Sequence, residues 1–142
     1  MRKDPLQLVK MLADISELEK SQYVATSMMQ LSAEKQRLAL LEQYLEEYCQ
    51  GAAPDTVVDI GKLTSSRGFI DALTKAVVEQ SDQVARLSQQ FEQRLDTWRA
   101  AKAKSTAVDN FASRKQQTRM LEESRREQSS LDEAGRWNQS SR

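Results

Sequence analysis

The sequence predicts an all-α protein, a long antiparallel two-helix coiled-coil hairpin with a protruding C-terminal helix end. Two observations carry that reading. Residues 6–50 and 69–134 contain neither glycine nor proline, and the four glycines and two prolines of the chain all lie at the edges of those runs. Glycine and proline disfavour a helix interior by about 1 and 3 kcal/mol relative to alanine, so two unbroken runs around one cluster of breakers read as two helices and a loop. The composition agrees. At 39% hydrophobic, 30% charged and 6% aromatic residues, the chain has too little apolar content for a thick core but enough for one narrow seam.

The whole chain, 1–142, reads as a single hairpin: helix 1 over about 5–50, a connector over about 51–65, helix 2 over about 66–134 and a frayed tail over 135–142. Asp4 suits the N-cap of helix 1 and Pro5 its first helical position, where a missing N–H costs nothing. Leu8, Met11, Ile15 and Leu18 open its apolar row, and Gln22 and Ala25 continue the spacing. After Val24 the row runs through Met28, Leu31, Leu38, Leu41, Leu45 and Tyr48, in steps mostly of three and four, as a helix–helix seam requires. Gly51 reads as the residue just past the helix, and Pro54 blocks resumption.

In the connector, Val57-Val58 is too short for a strand, Asp59 suits the cap of a short turn, and Thr64, Ser65 or Ser66 suits the cap of helix 2. The second seam runs Phe69, Leu73, Ala76, Gln80, Val84, Leu87, Phe91, Leu95 and Trp98. It then weakens: Lys102 and Ser105 take apolar slots before Val108 and Phe111 or Ala112, and only Met120, Leu121 and Leu131 follow. If Tyr48 faces Ser66, facing positions sum to about 114, because both helices rise ~1.5 Å per residue. Pro5 then faces Asp109, and the charged stretch after about Asn110 extends past helix 1 with hardly any seam.

Charge is uneven although the net is zero. From Glu42 to Asp59 there are five acids and no base; from Trp98 to Arg119 there are six bases and one acid, Asp109. The connector end is acidic and the open end basic, which suits two different partners.

Several chemistries find no support. There is no histidine, and one cysteine, Cys49, makes no disulfide or thiolate cluster within a chain. Cys49 stands beside Glu46 and Glu47, an unfavourable setting for a nucleophile. No Gly-rich phosphate motif is present, so an enzyme is not expected and no cofactor or metal is implied. Trp98 and Phe111 fall on the seam, so nucleic acid is not an expected partner. Neither a signal peptide nor a membrane-crossing run is read, so the chain is expected to be soluble and cytoplasmic.

Several strings carry a family resemblance: RLALLEQYLEEYCQ at the end of helix 1, SSRGFIDALTKAVVEQ at the start of helix 2, LSQQFEQRLDTWRAAKAK beyond it, and the charged end with Glu-Ser-Arg-Arg and Leu-Asp-Glu. Together they resemble the FliJ/YscO-like family, stalk components of the bacterial flagellar type III export apparatus. The resemblance implies an antiparallel coiled coil with four partners: the hexameric export ATPase, its regulator, the membrane export-gate protein and export chaperones. It implies a stalk that couples the ATPase ring to the gate, monomeric when free and peripheral at the inner membrane of the flagellar base, without inserting into the membrane. The gate-facing surface falls on Leu41, Tyr44, Tyr48, Phe69, Leu73 and Ala76, with Tyr44 at the seam's edge the best surface candidate. Two further positions of that surface fall on Arg37 and Gln80, where this chain departs from the enterobacterial pattern. The basic end assigns ATPase contact to Arg99, Lys102, Arg114, Lys115 and Arg119. A virulence-system stalk has the same physics. The alternatives are a prefoldin-like holding chaperone, which needs strand-forming segments beside the connector, and a structural coiled-coil homodimer.

Overall fold

A computed structural model describes residues 4–51 and 60–140, with side chains in the second segment from residue 65 onward. Two helices fill these segments, α1 over Pro5–Gly51 and α2 over Ile60–Ser140. α1 starts where capping chemistry puts it. The Leu6 amide donates to the Asp4 carboxylate and the Leu8 amide to the Asp4 carbonyl, both at 3.2 Å, with Pro5 in the first helical position.

The ends differ from the sequence reading. Gly51 is the last residue of α1 rather than a cap beyond it, and no described residue has a positive φ. α2 begins before Thr64, Ser65 and Ser66, so none of them caps it, and it runs through Gly135 into the tail that was expected to fray. Gly68 also lies inside α2, and a Cβ built at Gly68 or Gly135 would meet nothing within 4 Å. No turn demands glycine at either place, and one glycine costs a helix only about 1 kcal/mol. The expectations for Pro54, Val57, Val58 and Asp59 lie outside the described residues.

Contacts divide the chain into two units, each built from both helices: unit 1 is Met1–Leu18 with Ala100–Arg142, and unit 2 is Glu19–Arg99. In unit 2 a row of shielded residues on α1 runs Lys20, Val24, Ser27, Leu31, Glu34, Leu38, Leu41 and Leu45, in strictly alternating steps of four and three, with Ser21 half-buried beside it. α2 answers with Ser66, Ile70, Leu73, Val77, Gln80, Val84, Leu87, Phe91, Arg94 and Trp98, in the same alternation. This is a seven-residue repeat on both partners, the signature of coiled-coil packing. Leu31 is buried, while Leu38, Leu45, Val84, Leu87 and Phe91 are half-buried, as a two-helix seam open on both sides allows.

Several seam positions are polar, and the helices pair them. The Gln80 amide donates to the Glu34 carbonyl at 3.0 Å and also to its carboxylate. The Arg94 guanidinium donates to the Ser27 hydroxyl at 2.7 Å, and Ser27 is only 3% exposed. Arg94 and Lys20 each lie 5.7 Å from the centre of the Tyr23 ring, within cation–π range. Paired polar layers of this kind contribute little net energy but penalise any other register.

Unit 1 closes with smaller groups. Ala13 is buried, with Leu6, Ser16 and Glu17 half-buried on α1 and Ala101, Ser105, Val108 and Ala112 on α2. The Ser105 hydroxyl donates to the Asp14 carboxylate at 2.7 Å, and Lys10 pairs with Asp109 at 3.1 Å. Asp109 thus faces Lys10 and not Pro5, so the register at this end is shifted from the one predicted. From residue 113 to residue 140 every side chain of α2 is exposed.

The N-terminal seam is the largest correction. Leu8, Met11, Ile15 and Leu18 are 42–58% exposed, and Gln22, Ala25 and Met28 are exposed as well. Phe111 too points outward, leaving Val108 and Ala112 on the seam. The reason is geometric. The leucine row from Leu45 to Leu31 continues along one unbroken helix in steps of three and four to Ser27, Lys20 and Ala13. The apolar row stands two positions before that row, about 160° around a helix of 3.6 residues per turn.

Candidate docking surfaces

Tyr48 of α1 and Phe69 of α2 meet in unit 2 with ring centroids 4.5 Å apart and planes tilted by 44°. Both remain about half exposed, and so does Tyr44, one turn before Tyr48. An aromatic pair that packs on itself yet keeps one side open is a ready anchor for a partner, because its rings are already held in place. The structure therefore brings Tyr44, Tyr48 and Phe69 together as exposed groups. Leu41, Leu73 and Ala76 are half-buried, and Leu41 and Leu73 lie on the seam rows themselves. Gln80 is occupied with Glu34, and exposed Arg37 reaches the same carboxylate at 3.4 Å. The acids near this patch, Glu42, Glu46 and Glu47, are all exposed, and Glu46 and Glu47 accept amide protons from Gln50 and Gln43.

The basic residues divide between the units. Arg99 belongs to unit 2 and holds Asp96 at 3.4 Å, one turn back on its own helix. Lys102, Arg114, Lys115 and Arg119 belong to unit 1 and are exposed. Lys115 and Arg119 line an open cleft with Asp4, Gln7 and Lys10 where α1 begins. Among the described residues Arg114, Lys115 and Arg119 enter no ion pair, while the acid of this stretch, Asp109, is neutralised by Lys10. The cross-helix pairs Lys10–Asp109, Asp14–Ser105 and Ser27–Arg94 escaped the sequence reading. Each joins residues more than 60 positions apart, and the right register would have been the signal.

Among the described residues no group of three or more His, Cys, Asp and Glu could hold a metal ion, and no helix is long and apolar enough to cross a membrane. Cys49 is an exposed free thiol. What the fold offers is a helical hairpin with one exposed aromatic patch and one exposed basic patch, the class of a coiled-coil protein without an evident cofactor or metal site among its described residues. The model of one family, flagellar FliJ protein, matches residues 1–141. The chain belongs to the FliJ family and is a component associated with flagellar export and motility. No curated protein and no solved structure matches it.

Proposed function

We propose that this protein is the stalk of the export apparatus, engaging the export ATPase ring through unit 1 and the membrane export gate through the aromatic patch of unit 2. One observation carries the reading. Beyond the cleft that Lys115 and Arg119 share with the start of α1, α2 continues over residues 120–140 with every side chain exposed and, among the described residues, no packing partner on α1. Helices gain most of their stability from packing, so a helix of this length is expected to be completed by a partner. The turns just before that stretch carry Arg114, Lys115 and Arg119, with Lys102 on the same helix and in the same unit. A slender basic helix fits the mouth of a ring lined with acidic side chains, where summed charge steers entry. Arg99, in unit 2, is the remaining basic residue assigned to the ATPase contact.

In this reading the protein does no chemistry. It transmits the state of the ATPase to the gate, contacts the ATPase regulator, escorts export chaperones and works at the cytoplasmic face of the inner membrane. The gate contact uses Tyr44, Tyr48 and Phe69, with Leu41, Leu73 and Ala76 beneath or beside them.

The test is reversal of Arg114, Lys115 and Arg119 to glutamate in the full chain. Stimulation of the purified export ATPase should vanish while the circular dichroism of the isolated protein stays that of the parent. Stimulation at parental concentration and moderate salt would sink the basic-end reading.

A further inference from the structure

One cluster in unit 2 is used by neither proposed contact. Lys20 and Tyr23 of α1 and Arg94 and Thr97 of α2 line an open cleft of about 270 Å³. The seam rows explain how it arises. Lys20 and Arg94 are members of the contact rows, one on each helix, so both are half-buried where an apolar side chain would ordinarily sit. Tyr23 stands one position before the seam residue Val24, and Thr97 one position before Trp98. Positions that precede the seam lie on the same side of an antiparallel pair, so the two helices wall the cleft from one side. The Tyr23 ring, 48% exposed, lies 5.7 Å from the Lys20 ammonium and 5.7 Å from the Arg94 guanidinium.

The charge here is unbalanced. Among the described residues neither Lys20 nor Arg94 enters an ion pair, and no acid lines the cleft. Glu19, beside Lys20 in the chain, is exposed and pairs with neither cation, and Asp96, beside Thr97, is held by Arg99. A ring face offsets only part of a cation's charge. Half-burial removes water that would otherwise screen that charge, so an anion in the cleft gains more than one on an open surface. The donors are also in place. One guanidinium N–H of Arg94 is spent on the Ser27 hydroxyl at 2.7 Å, which fixes the group and leaves its other N–H groups available. Thr97 donates its hydroxyl to the Gln93 carbonyl at 3.0 Å, so it shapes the cleft without offering a donor.

We propose that Lys20, Arg94 and the Tyr23 hydroxyl bind the phosphate group of a small anion. Two cations match the charge of about −1.5 to −2 that a phosphate group carries near neutral pH, whereas a carboxylate would leave one cation unmet. The acceptor oxygens of a phosphate suit donors arriving from two helices, and arginine and lysine are both phosphate-binding side chains. Free diphosphate and the phosphate tail of a nucleotide share this chemistry. The site lies outside the residues assigned to the gate and to the ATPase.

Isothermal titration of the full chain at constant ionic strength is the test, with diphosphate, ATP and acetate as probes and the fold followed by thermal melting. Diphosphate should bind saturably. Lys20→Gln and Arg94→Lys should each weaken it about tenfold or more, the loss expected of a hydrogen bond to a charged group. Tyr23→Phe, which keeps the ring, should weaken it about threefold. Lys35→Gln, at an exposed lysine of unit 2 that does not line the cleft, should bind as the parent does. Equal affinity for diphosphate and ATP supports a site for the free anion; tighter ATP binding that falls with Tyr23→Leu supports a nucleotide whose base rests on the ring. No saturable heat with diphosphate or ATP, parental affinity in Lys20→Gln, or equal binding of acetate overturns the proposal. Should Arg94→Lys lower the melting midpoint, Lys20→Gln decides, because Lys20 carries no ion pair of the fold among the described residues.

Discussion

Unit 2 and unit 1 are made from the same two helices but closed by different side chains. Unit 2 joins Leu31, Leu38, Leu41 and Leu45 to Ile70, Leu73, Val77, Val84, Leu87 and Phe91, with polar layers set among them. Unit 1 joins Leu6, Ala13 and Glu17 to Ala101, Ser105, Val108 and Ala112, and most of its large apolar groups, Leu8, Met11, Leu12, Ile15, Leu18 and Phe111 among them, face outward. Burial is worth about 25 cal/mol per Å² of apolar area, so a seam of leucine and valine stabilises far more than one of alanine and serine. The difference teaches that one pair of helices can be closed in two ways, by large side chains in unit 2 and by mostly small ones in unit 1. Unit 2 holds the helices together. Unit 1 leaves most of its large apolar side chains exposed.

The sharpest way to break this comparison is to truncate the seam in each unit. Leu31→Ala in unit 2 removes a buried side chain and should cost about 3 kcal/mol, while Val108→Ala in unit 1 should cost about 1 kcal/mol or less. Chemical denaturation of both variants checks the ranking, and equal costs would mean that unit 1 is held as firmly as unit 2. Amide exchange gives the same comparison without mutation, with unit 1 amides expected to exchange faster than those of residues 27–45.

The polar layers come next. Arg94→Met removes a charged donor from the buried Ser27 hydroxyl and should cost about 2 kcal/mol, within the range for hydrogen bonds to charged groups. A variant more stable than the parent would show that this layer serves no role in register. Gly68→Ala acts in the opposite direction. The position is helical, φ is not positive and a Cβ has open space, so stability should rise by about 0.5–1 kcal/mol. A lower melting midpoint would contradict the helical placement of that glycine.

The smallest effect belongs to Lys10–Asp109 of unit 1. Both side chains are about half exposed, so Asp109→Asn should cost less than about 1 kcal/mol and the loss should shrink at high salt. A salt-independent loss of several kcal/mol would mean that unit 1 depends on this pair and not on its small-residue seam.

Much of this was legible from local chemistry. The Asp4–Pro5 start of α1 needs only a side-chain oxygen and a fixed φ, both properties of the residues themselves. The seam from Leu31 to Leu45 was readable because there the apolar row and the contact row coincide. So was the exposure of Tyr44, from its place at the seam's edge. The start of α2 at Ile60 and its run past Gly135 were not, because a breaker shifts a balance by about 1 kcal/mol and neighbours can outweigh it.

The sequence by itself determined that two long helices form and that they pair through seven-residue repeats, since helix propensity and spacing are written along one chain. Only the tertiary structure decided which of two rows on α1 faces α2. Leu8, Met11, Ile15 and Leu18 are the more apolar row, yet Ala13, Glu17 and Lys20 lie on the contact side. Burial is a property of a pair of surfaces. Opposite small residues such as Ala101 and Ser105, the row that continues the leucine seam of the unbroken helix is the one that fits, and the richer row is left outside.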